Sequence, residues 1–210
     1  MSKIYRHSDK AAKEMYKRLA AEMQNLMVGL RFDELNVLGV RKNVNAVFKR
    51  LDKFCRARFK EVGAAARRDA MDELGVSRFA AVKDFVITVL AAYNLTTKYV
   101  YTNEWERKRD RLVEGIIASR NRLDIRDAVV RTTNLLKRQL LQYADEMTDA
   151  ARIRAYKDMG VTHVMWHTQH DGKVCKKCDE RDGKIYPIDD IPEKHYHCRC
   201  YITAVQDETK

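Results

Sequence analysis

The sequence contains little proline or glycine, and neither residue type is distributed as in a loop-rich protein. Its 210 residues include eight glycines and two prolines, Pro187 and Pro192. Because a proline inside a helix costs about 3 kcal/mol, the absence of proline from residues 1–158 is typical of several consecutive helices. The glycines occur singly, which excludes a glycine-rich loop of the kind that cradles phosphate groups.

The chain also lacks a long apolar run and an N-terminal targeting segment. No stretch approaches the roughly 18 uninterrupted apolar residues that a membrane-spanning helix needs, so no membrane partner is expected. The first residues, MSKIYRHSDK, contain no apolar core of the kind that a secretory signal carries. We therefore expect a protein that stays in a reducing cytoplasm and has no structural disulfides.

Charge, cysteine and histidine divide the chain into two parts. The net charge is +11, but residues 159–210 carry eight basic and nine acidic side chains, so the whole excess belongs to residues 1–158. Four of the five cysteines and five of the six histidines follow residue 160. We predict a helical, basic body over residues 1–158 and a small Cys/His zinc-binding domain over residues 159–210.

Apolar residues in the body recur at three- and four-residue steps, which is the spacing of one helix face. The clearest stripe consists of Val44, Val47, Phe48, Leu51, Phe54, Cys55, Phe59 and Val62. Ser8 predicts the cap of a first helix that runs to about residue 28, and Gly63 or Gly75 predicts the end or a weak point of the second. A third, more buried helix is expected after Ser77, followed by an extended interruption over residues 94–101.

Two more helices are expected before residue 160. Asn103, with Glu106 three residues later, resembles a capping box and predicts a helix start. The inward-facing residues of this helix are expected to be Trp105, Leu112, Ile116 and Ile117. The next helix is predicted to begin at Asp124 and to end at Gly160, a residue type that commonly terminates helices.

The apolar spacing changes after Gly160. Residues 161–168 alternate as a short strand with Val164 and Trp166 as its anchors, and residues 198–205 predict a last strand. Asp-Gly pairs at residues 171–172 and 182–183 are turn dipeptides of the hairpin type. The residues after 160 therefore predict a small β-hairpin unit.

Four cysteines in this unit have the spacing of a zinc site. Two residues separate Cys175 from Cys178, so a tight turn can aim both thiolates at one ion, and Cys198 and Cys200 follow after nineteen further residues. Zn²⁺ suits soft thiolates, and a segment of about 50 residues is too small to be stable without such a staple. The predicted fold class is α+β: a mainly α-helical body followed by a small C-terminal zinc-stapled β-hairpin domain.

Five candidates compete for the four positions of a tetrahedral site, because His195 lies three residues before Cys198 and can reach the same ion. The favoured ligands are Cys175, Cys178, His195 and Cys198. Cys200 is the next candidate, and His197, on the opposite side of the strand, is the weakest. The alternative is a small core of reduced thiols or a pair of disulfides, which a cytoplasmic location disfavours.

A catalytic zinc would need an open coordination position and a nearby acid or base. Asp171, Asp179 and Glu180 are close in sequence, but acidic residues beside turns are usually solvated turn residues. A closed, cysteine-rich shell is typically structural. No nucleophile motif occurs elsewhere in the chain, so we expect that the protein is not an enzyme.

The second helix of the body is strongly basic. Residues 41–68 hold ten Lys or Arg residues against two acidic ones. The residues expected to contact nucleic acid are Lys49, Arg50, Lys53, Arg56 and Lys60. Such a face attracts a phosphate backbone without reading its sequence, and the alternative is a solvated face that keeps the protein soluble. Trp105, Tyr99 and Tyr101 are candidates for base stacking, although core packing is favoured.

The C-terminal motif resembles the signature of the phage head morphogenesis family, the Mu F-like minor head proteins. The matching residues are Trp166-x-Thr168, Asp171-Gly172-Lys173-Val174-Cys175-x-x-Cys178, Asp182-Gly183-Lys184 and Pro192-x-x-His195-x-x-Cys198-Arg199-Cys200. The resemblance implies a minor capsid protein that associates with the portal protein and capsid proteins during procapsid assembly and contacts packaged double-stranded DNA. It also implies a location in the virion, inside the capsid near the portal, after assembly in the host cytoplasm.

Two other functions are compatible with the same residues. One is a zinc-ribbon protein that binds nucleic acid without sequence preference through the basic helix. The other is a zinc-dependent nuclease in which Asp171 or His170 helps the metal to activate water, a function that we do not expect.

Overall fold

The computed structural model describes residues 3–76, 102–195 and 198–205. The third helix predicted after Ser77 and the interruption over residues 94–101, which includes Tyr99 and Tyr101, lie outside the described residues. His197, the weakest of the ligand candidates, lies outside them as well. Within the described ranges, no helix combines the length and the apolarity of a membrane span.

The described part of the body contains four long helices. A short 3₁₀ helix, Lys3–Tyr5, leads into α1, Arg6–Gly29, and a second 3₁₀ helix, Phe32–Glu34, leads into α2, Val37–Glu73. The helix α3 spans Thr102–Ile117 and α4 spans Arg122–Asp158. The structure is therefore mainly helical, as predicted.

Side-chain caps and glycines set several of the helix ends. Asn36 caps α2 by accepting a hydrogen bond from Gly39 N, and Asn121 caps α4 through Leu123 N and Asp124 N. α4 ends just before Gly160, whose φ of +76° is the left-handed conformation expected there. The prediction for Ser8 was wrong: α1 begins before it, and its hydroxyl donates to Tyr5 O and to Asp145 Oδ1 instead.

The four helices share one apolar core. The buried members of the α2 stripe are Val44, Val47, Phe48, Leu51, Cys55, Phe59 and Val62. Trp105 on α3 is buried and packs edge-on against Phe48, with ring centroids 5.3 Å apart, which confirms its core role. Ile117, predicted to face inward, is 37% exposed because it is the last residue of α3 and passes the edge of the bundle.

A three-stranded antiparallel sheet follows the bundle and replaces the simple hairpin that the sequence predicted. The strands are β1, His163–His167, β2, Ile185–Pro187, and β3, Tyr201–Ala204, and β1 lies between the other two. Val164 pairs with Tyr186 on one side and Ala204 on the other. The alternation of apolar and polar residues identifies strands but not their partners. Here β1 forms hydrogen bonds with a neighbouring strand on each side.

The sheet has its own small core, to which the helices contribute. Val164 and Trp166 are fully buried, as predicted, and pack with Ile188 and Ile202. The same cluster includes Ala70 of α2 and Ala155 and Tyr156 of α4. The C-terminal module, which we define as residues 161–205, therefore rests on the ends of the two longest helices.

One carboxylate holds this junction together. Glu73, the last residue of α2, accepts hydrogen bonds from the Tyr156 hydroxyl at 2.9 Å and from Ala204 N at 3.1 Å, and it pairs with Arg152. These partners come from α4 and β3, so the end of α2 is joined to both. Charge-assisted hydrogen bonds in such a half-buried place are stronger than those on an open surface.

Candidate metal centre

Two tight turns bring the cysteines and His195 together. Cys175 precedes the one-turn helix α5, Lys176–Asp179, and its carbonyl accepts hydrogen bonds from Cys178 N at 2.9 Å and Asp179 N at 3.0 Å. A second turn is closed by a hydrogen bond of 3.0 Å from Cys198 N to His195 O. Each turn places two candidate ligands on the same side of the chain, as the two-residue spacing of each pair predicts.

The distances between ligand atoms fit a zinc ion. Cys178 Sγ lies 3.7 Å from Cys198 Sγ, and Cys175 Sγ lies 3.3 Å from His195 Nε2. Bonds of about 2.3 Å to sulfur and 2.0 Å to nitrogen in a tetrahedron correspond to edges of about 3.8 Å and 3.5 Å. Both distances are close to these edges, but Cys198 does not lie within 4.8 Å of both Cys175 and His195, so the favoured set would close around one ion only after a rearrangement of the two turns.

All five predicted candidates belong to two overlapping groups that could hold a metal. Cys175, Cys178 and His195 form one group, and Cys178, Cys198 and Cys200 form the other, with all ligand atoms of a group within 4.8 Å of one another. Cys178 is common to both groups and is almost fully buried. The structure therefore places His195 with Cys175 on the exposed side of Cys178, and Cys200 with Cys198 on its buried side, and it does not choose between His195 and Cys200 as a ligand.

The five cysteines are free thiols, so the disulfide alternative does not describe this structure. The separation of 3.7 Å between Cys178 Sγ and Cys198 Sγ is far longer than a disulfide bond of about 2.05 Å. Cys55 is the fifth thiol, and it lies fully buried in the helical core, as predicted.

The thiols of the centre differ in acidity. Burial raises the pKa of the Cys178 thiol to about 11. A hydrogen bond from the Cys200 side chain lowers the pKa of the Cys198 thiol to about 5. Hydrogen bonds with Cys178 lower the pKa of the Cys175 thiol as well, and a bound metal would displace the thiol protons that remain.

Two carboxylates of the loops around the centre make other contacts. Asp171 pairs with Arg199 and also accepts a hydrogen bond of 3.1 Å from Lys173 N. Asp182, beside the Asp-Gly turn, accepts a hydrogen bond of 2.6 Å from Thr168 N. Both carboxylates therefore stabilise the loops around the centre, and Asp171 lines the cavity of about 160 Å³ beside the cysteines.

The structure also reveals contacts that no sequence pattern indicated. Lys194 and Tyr5 both reach the backbone carbonyl of Cys200, at 2.6 Å and 2.7 Å, and both contact Asp149 of α4. Tyr5 lies at the opposite end of the chain. Because such contacts depend on tertiary packing, neither spacing nor composition could have predicted them.

The predicted nucleic-acid-binding residues all lie on α2, but they do not form a uniformly positive face. Lys49, Lys53, Arg56 and Lys60 follow one another at helical spacing along one side, and the three lysines are exposed. Arg50 points elsewhere and donates to Glu22, at 2.7 Å, and this hydrogen bond lowers the pKa of Glu22. Arg56 pairs with Asp52 at 2.8 Å. Part of the positive charge is therefore neutralised within the body.

One comparison with known proteins is informative. Residues 107–203 match the family model described as Phage Mu protein F like protein, a range that extends from α3 to β3 and includes the candidate metal centre. The chain matches no curated protein and no solved structure. The matched family suggests phage head morphogenesis. Residues 107–203 are thus similar to Phage Mu protein F like proteins, which confirms the resemblance to the head morphogenesis family.

Proposed function

We propose that this protein is a minor capsid protein of a tailed phage that associates with the portal protein and with capsid proteins during procapsid assembly. The observation that carries the proposal is the family match over residues 107–203. On this proposal the protein joins the head in the host cytoplasm and remains inside the capsid near the portal. The bundle and the C-terminal module then provide two different surfaces for the assembling head.

We further propose that the centre holds one Zn²⁺ with a structural role. The favoured ligands are Cys175, Cys178, His195 and Cys198, and Cys200 is the alternative to His195. Soft thiolates, two ligand-atom distances close to tetrahedral edges and the buried position of Cys178 support this assignment. The chemistry that the ion supplies is a cross-link between the two turns of the module.

In this proposal the protein assembles and does not catalyse a reaction. A metal enclosed by cysteines has no open position for a substrate. Asp171, which a nuclease would use to orient water, is held by Arg199. These contacts support a closed, structural centre.

Fractionation of infected cells tests the assembly role. Procapsids, mature heads and portal complexes are purified and probed with an antibody against the protein. We expect the protein in procapsids and in portal complexes, and its absence from both would contradict the proposal. A double variant, Cys175→Ser with Cys198→Ser, should reduce incorporation, whereas Cys55→Ala, which removes a thiol from the helical core, should not.

A second proposed role of the minor capsid protein is contact with packaged DNA. The alternative to the capsid function as a whole is a zinc-ribbon protein that binds nucleic acid without sequence preference. The exposed lysines Lys49, Lys53 and Lys60 on one side of α2 favour this role. Contacts to the phosphate backbone make affinity fall steeply with salt. The logarithm of the binding constant falls against the logarithm of the salt concentration with a slope of about 0.9 for each phosphate neutralised.

A charge-matched pair of variants tests the DNA contact. Replacing all three lysines by glutamine should weaken binding to a DNA duplex and reduce the salt slope by about 2 to 3. The control replaces Arg122, Arg126 and Arg131, which are exposed on α4, by glutamine and has the same net charge. Binding is measured by fluorescence anisotropy at several salt concentrations. Equal losses in both variants would contradict a role for α2, since only total charge would then matter.

A further inference from the structure

The backbone carbonyl of Cys200 connects the candidate metal centre to the far end of the chain. Lys194 Nζ donates to this oxygen at 2.6 Å, and the Tyr5 hydroxyl lies 2.7 Å from it. Cys200 is 4% exposed and Tyr5 is 6% exposed, so the contact is sheltered from water. Hydrogen bonds made in such surroundings are stronger and more costly to lose than those on an open surface.

Asp149 of α4 completes this arrangement, which we call the Cys200 clamp and define as Tyr5, Asp149, Lys194 and the Cys200 carbonyl. Lys194 Nζ donates to Asp149 Oδ2 at 2.6 Å and to the Tyr5 oxygen at 2.8 Å, so its three N–H groups are all used. The Tyr5 proton is shared between Asp149 Oδ1, at 2.9 Å, and the Cys200 carbonyl.

The clamp joins three segments that are far apart in sequence. Tyr5 directly precedes α1, and Asp149 belongs to α4. Lys194 and Cys200 are both in the C-terminal module, where Lys194 is the neighbour of His195 and Cys200 is itself a ligand candidate. A change in the position of His195 or Cys200 therefore also moves Lys194 or the Cys200 carbonyl, and with them the contacts that hold the start of α1.

We propose that the Cys200 clamp couples metal binding to the docking of the start of α1 on α4 and the C-terminal module. This inference rests on the zinc centre of the proposed function. A bound ion fixes His195 and the cysteines, and thereby holds Lys194 and the Cys200 carbonyl where Tyr5 can reach them. Coupling between two sites is reciprocal, so Tyr5 must strengthen metal binding as much as the metal strengthens docking of Tyr5.

The start of α1 is suited to respond because polar contacts hold it. Ser8 donates to Asp145 at 2.5 Å, and Arg6 pairs with Asp69 at 2.8 Å, whereas the deeper apolar anchors of α1, such as Met15 and Leu19, come later in the helix. Loss of the clamp should therefore release the first turns of α1 while the rest of the helix stays packed. Such local opening of a terminus requires little free energy.

The first test is the zinc affinity of the full chain with Tyr5→Phe, measured by competition with a chromogenic chelator. The variant keeps the ring and removes only the hydroxyl. Outer-shell partners of metal ligands typically contribute 10–100-fold to affinity, so we expect a loss of about ten-fold. Tyr16→Phe, on the following helix α1 and packed against the bundle core, should leave the affinity unchanged.

The second test measures the coupling in the opposite direction. Amide hydrogen exchange of residues 3–12 should accelerate in the wild-type protein when the zinc is removed by a chelator. In Tyr5→Phe the exchange should already be fast with zinc bound, so that chelation adds little. Circular dichroism verifies that the variant keeps its helices, and Asp149→Asn replaces it in both tests if it does not.

The outcomes separate this inference from the proposal on which it rests. The coupling alone would be overturned if wild-type protein and Tyr5→Phe bound zinc with equal affinity. It would also be overturned if the amide exchange rates of residues 3–12 were the same with and without zinc. If metal analysis finds no zinc in the wild-type protein, the proposed centre fails and the coupling fails with it. A selective loss of affinity in Tyr5→Phe, together with zinc-dependent exchange, would support both.

Discussion

The helical body and the C-terminal module are held together by different means. Four helices bury a continuous set of Leu, Val, Phe, Met and Ala side chains, and this core requires no staple. Among the described residues, the module contributes six buried members to its own core, namely Val164, Trp166, Ile188, Ile202, Cys178 and Cys200, and Ala70, Ala155 and Tyr156 come from the helices. A unit with so few apolar residues cannot offset the conformational entropy of its loops by burial alone.

The comparison teaches where each region is vulnerable. In the body, stability is distributed over many contacts, so that removing one side chain costs a few kcal/mol and leaves the helices in place. In the module, the proposed zinc ion would concentrate stability in the Cys/His centre, beside the junction at Glu73. The sequence contains two tryptophans, and each lies in one of the regions, Trp105 in the body and Trp166 in the module. The two regions can therefore be observed separately.

The largest expected effect is that of zinc removal on the module. Structural zinc sites contribute about 10 kcal/mol or more to the folding of small domains. We expect Cys178→Ser, or treatment with a chelator, to open the module and shift the emission of Trp166 to longer wavelength. The helical signal in far-ultraviolet circular dichroism should persist, because the apolar core of the body remains.

Single-tryptophan proteins make this measurement specific. Trp105→Phe leaves Trp166 as the only reporter, and Trp166→Phe leaves Trp105, which packs against Phe48 in the body. A red shift of Trp105 on chelation, or no change of Trp166, would contradict the division between a core-stabilised body and a metal-stabilised module.

A smaller effect is expected from a cavity in the body. Leu51 is fully buried in α2, and Leu51→Ala should lower the free energy of unfolding by about 2 to 5 kcal/mol. Urea denaturation monitored by Trp105 fluorescence measures the loss. Leu38→Ala is the matched control, since Leu38 is 80% exposed on the same helix and should change stability by less than about 0.5 kcal/mol. Similar losses of unfolding free energy in both variants would contradict the placement of Leu51 in the core and Leu38 on the surface.

The smallest effect concerns pH and the place where the two regions meet. Burial raises the pKa of Asp145 to about 7, while a hydrogen bond from Ser8 opposes the shift and the charges of Asp149 and Asp9 add to it. A carboxyl in an unfolded chain titrates near 4, so between about pH 4 and pH 7 the folded state holds more protons than the unfolded state. The contribution of Asp145 to the free energy of unfolding therefore increases as the pH falls through this window, and it is lowest above pH 7.

Asp145→Asn should remove this dependence. At pH 8 the variant should be more stable than the wild type by about 1 to 2 kcal/mol, and the difference should shrink as the pH approaches 4. Thermal unfolding at a series of pH values measures it, with Asp127→Asn on the exposed side of α4 as the control. A variant that is destabilised equally at all pH values would mean that the charge of Asp145 does not oppose folding.

The helices of the body could be predicted well from the sequence because their signals are local. Apolar spacing identified α2 and its buried face, and Gly160 marked the end of α4 within two residues. The errors are at positions where local rules compete with packing. Ser8 is a residue type that commonly caps helices, but its hydroxyl donates to Asp145 of another helix. Ile117 has the spacing of a buried residue, but it is the last residue of α3 and is partly exposed.

The candidate site could be predicted as a set of residues but not as a geometry. The two turns around Cys175–Cys178 and His195–Cys198 are short, so their spacing in sequence already limits where the side chains can lie. The three-stranded sheet and the choice between His195 and Cys200 depend on which strands pair and on what covers them. Strand pairing is a non-local interaction, and a sequence pattern of period two does not specify the partner.

The sequence by itself determined the helical character of the body, the division of charge and cysteine between two regions, and the residue types at the centre. These properties follow from composition and from spacings of a few residues, which act within one turn or one helix. Only the tertiary structure decided that the module shares its core with α2 and α4, that Arg50 binds Glu22 of α1, and that Tyr5 reaches the Cys200 carbonyl. Such contacts arise when distant segments exclude water together, so their partners are fixed by the packing of the whole chain.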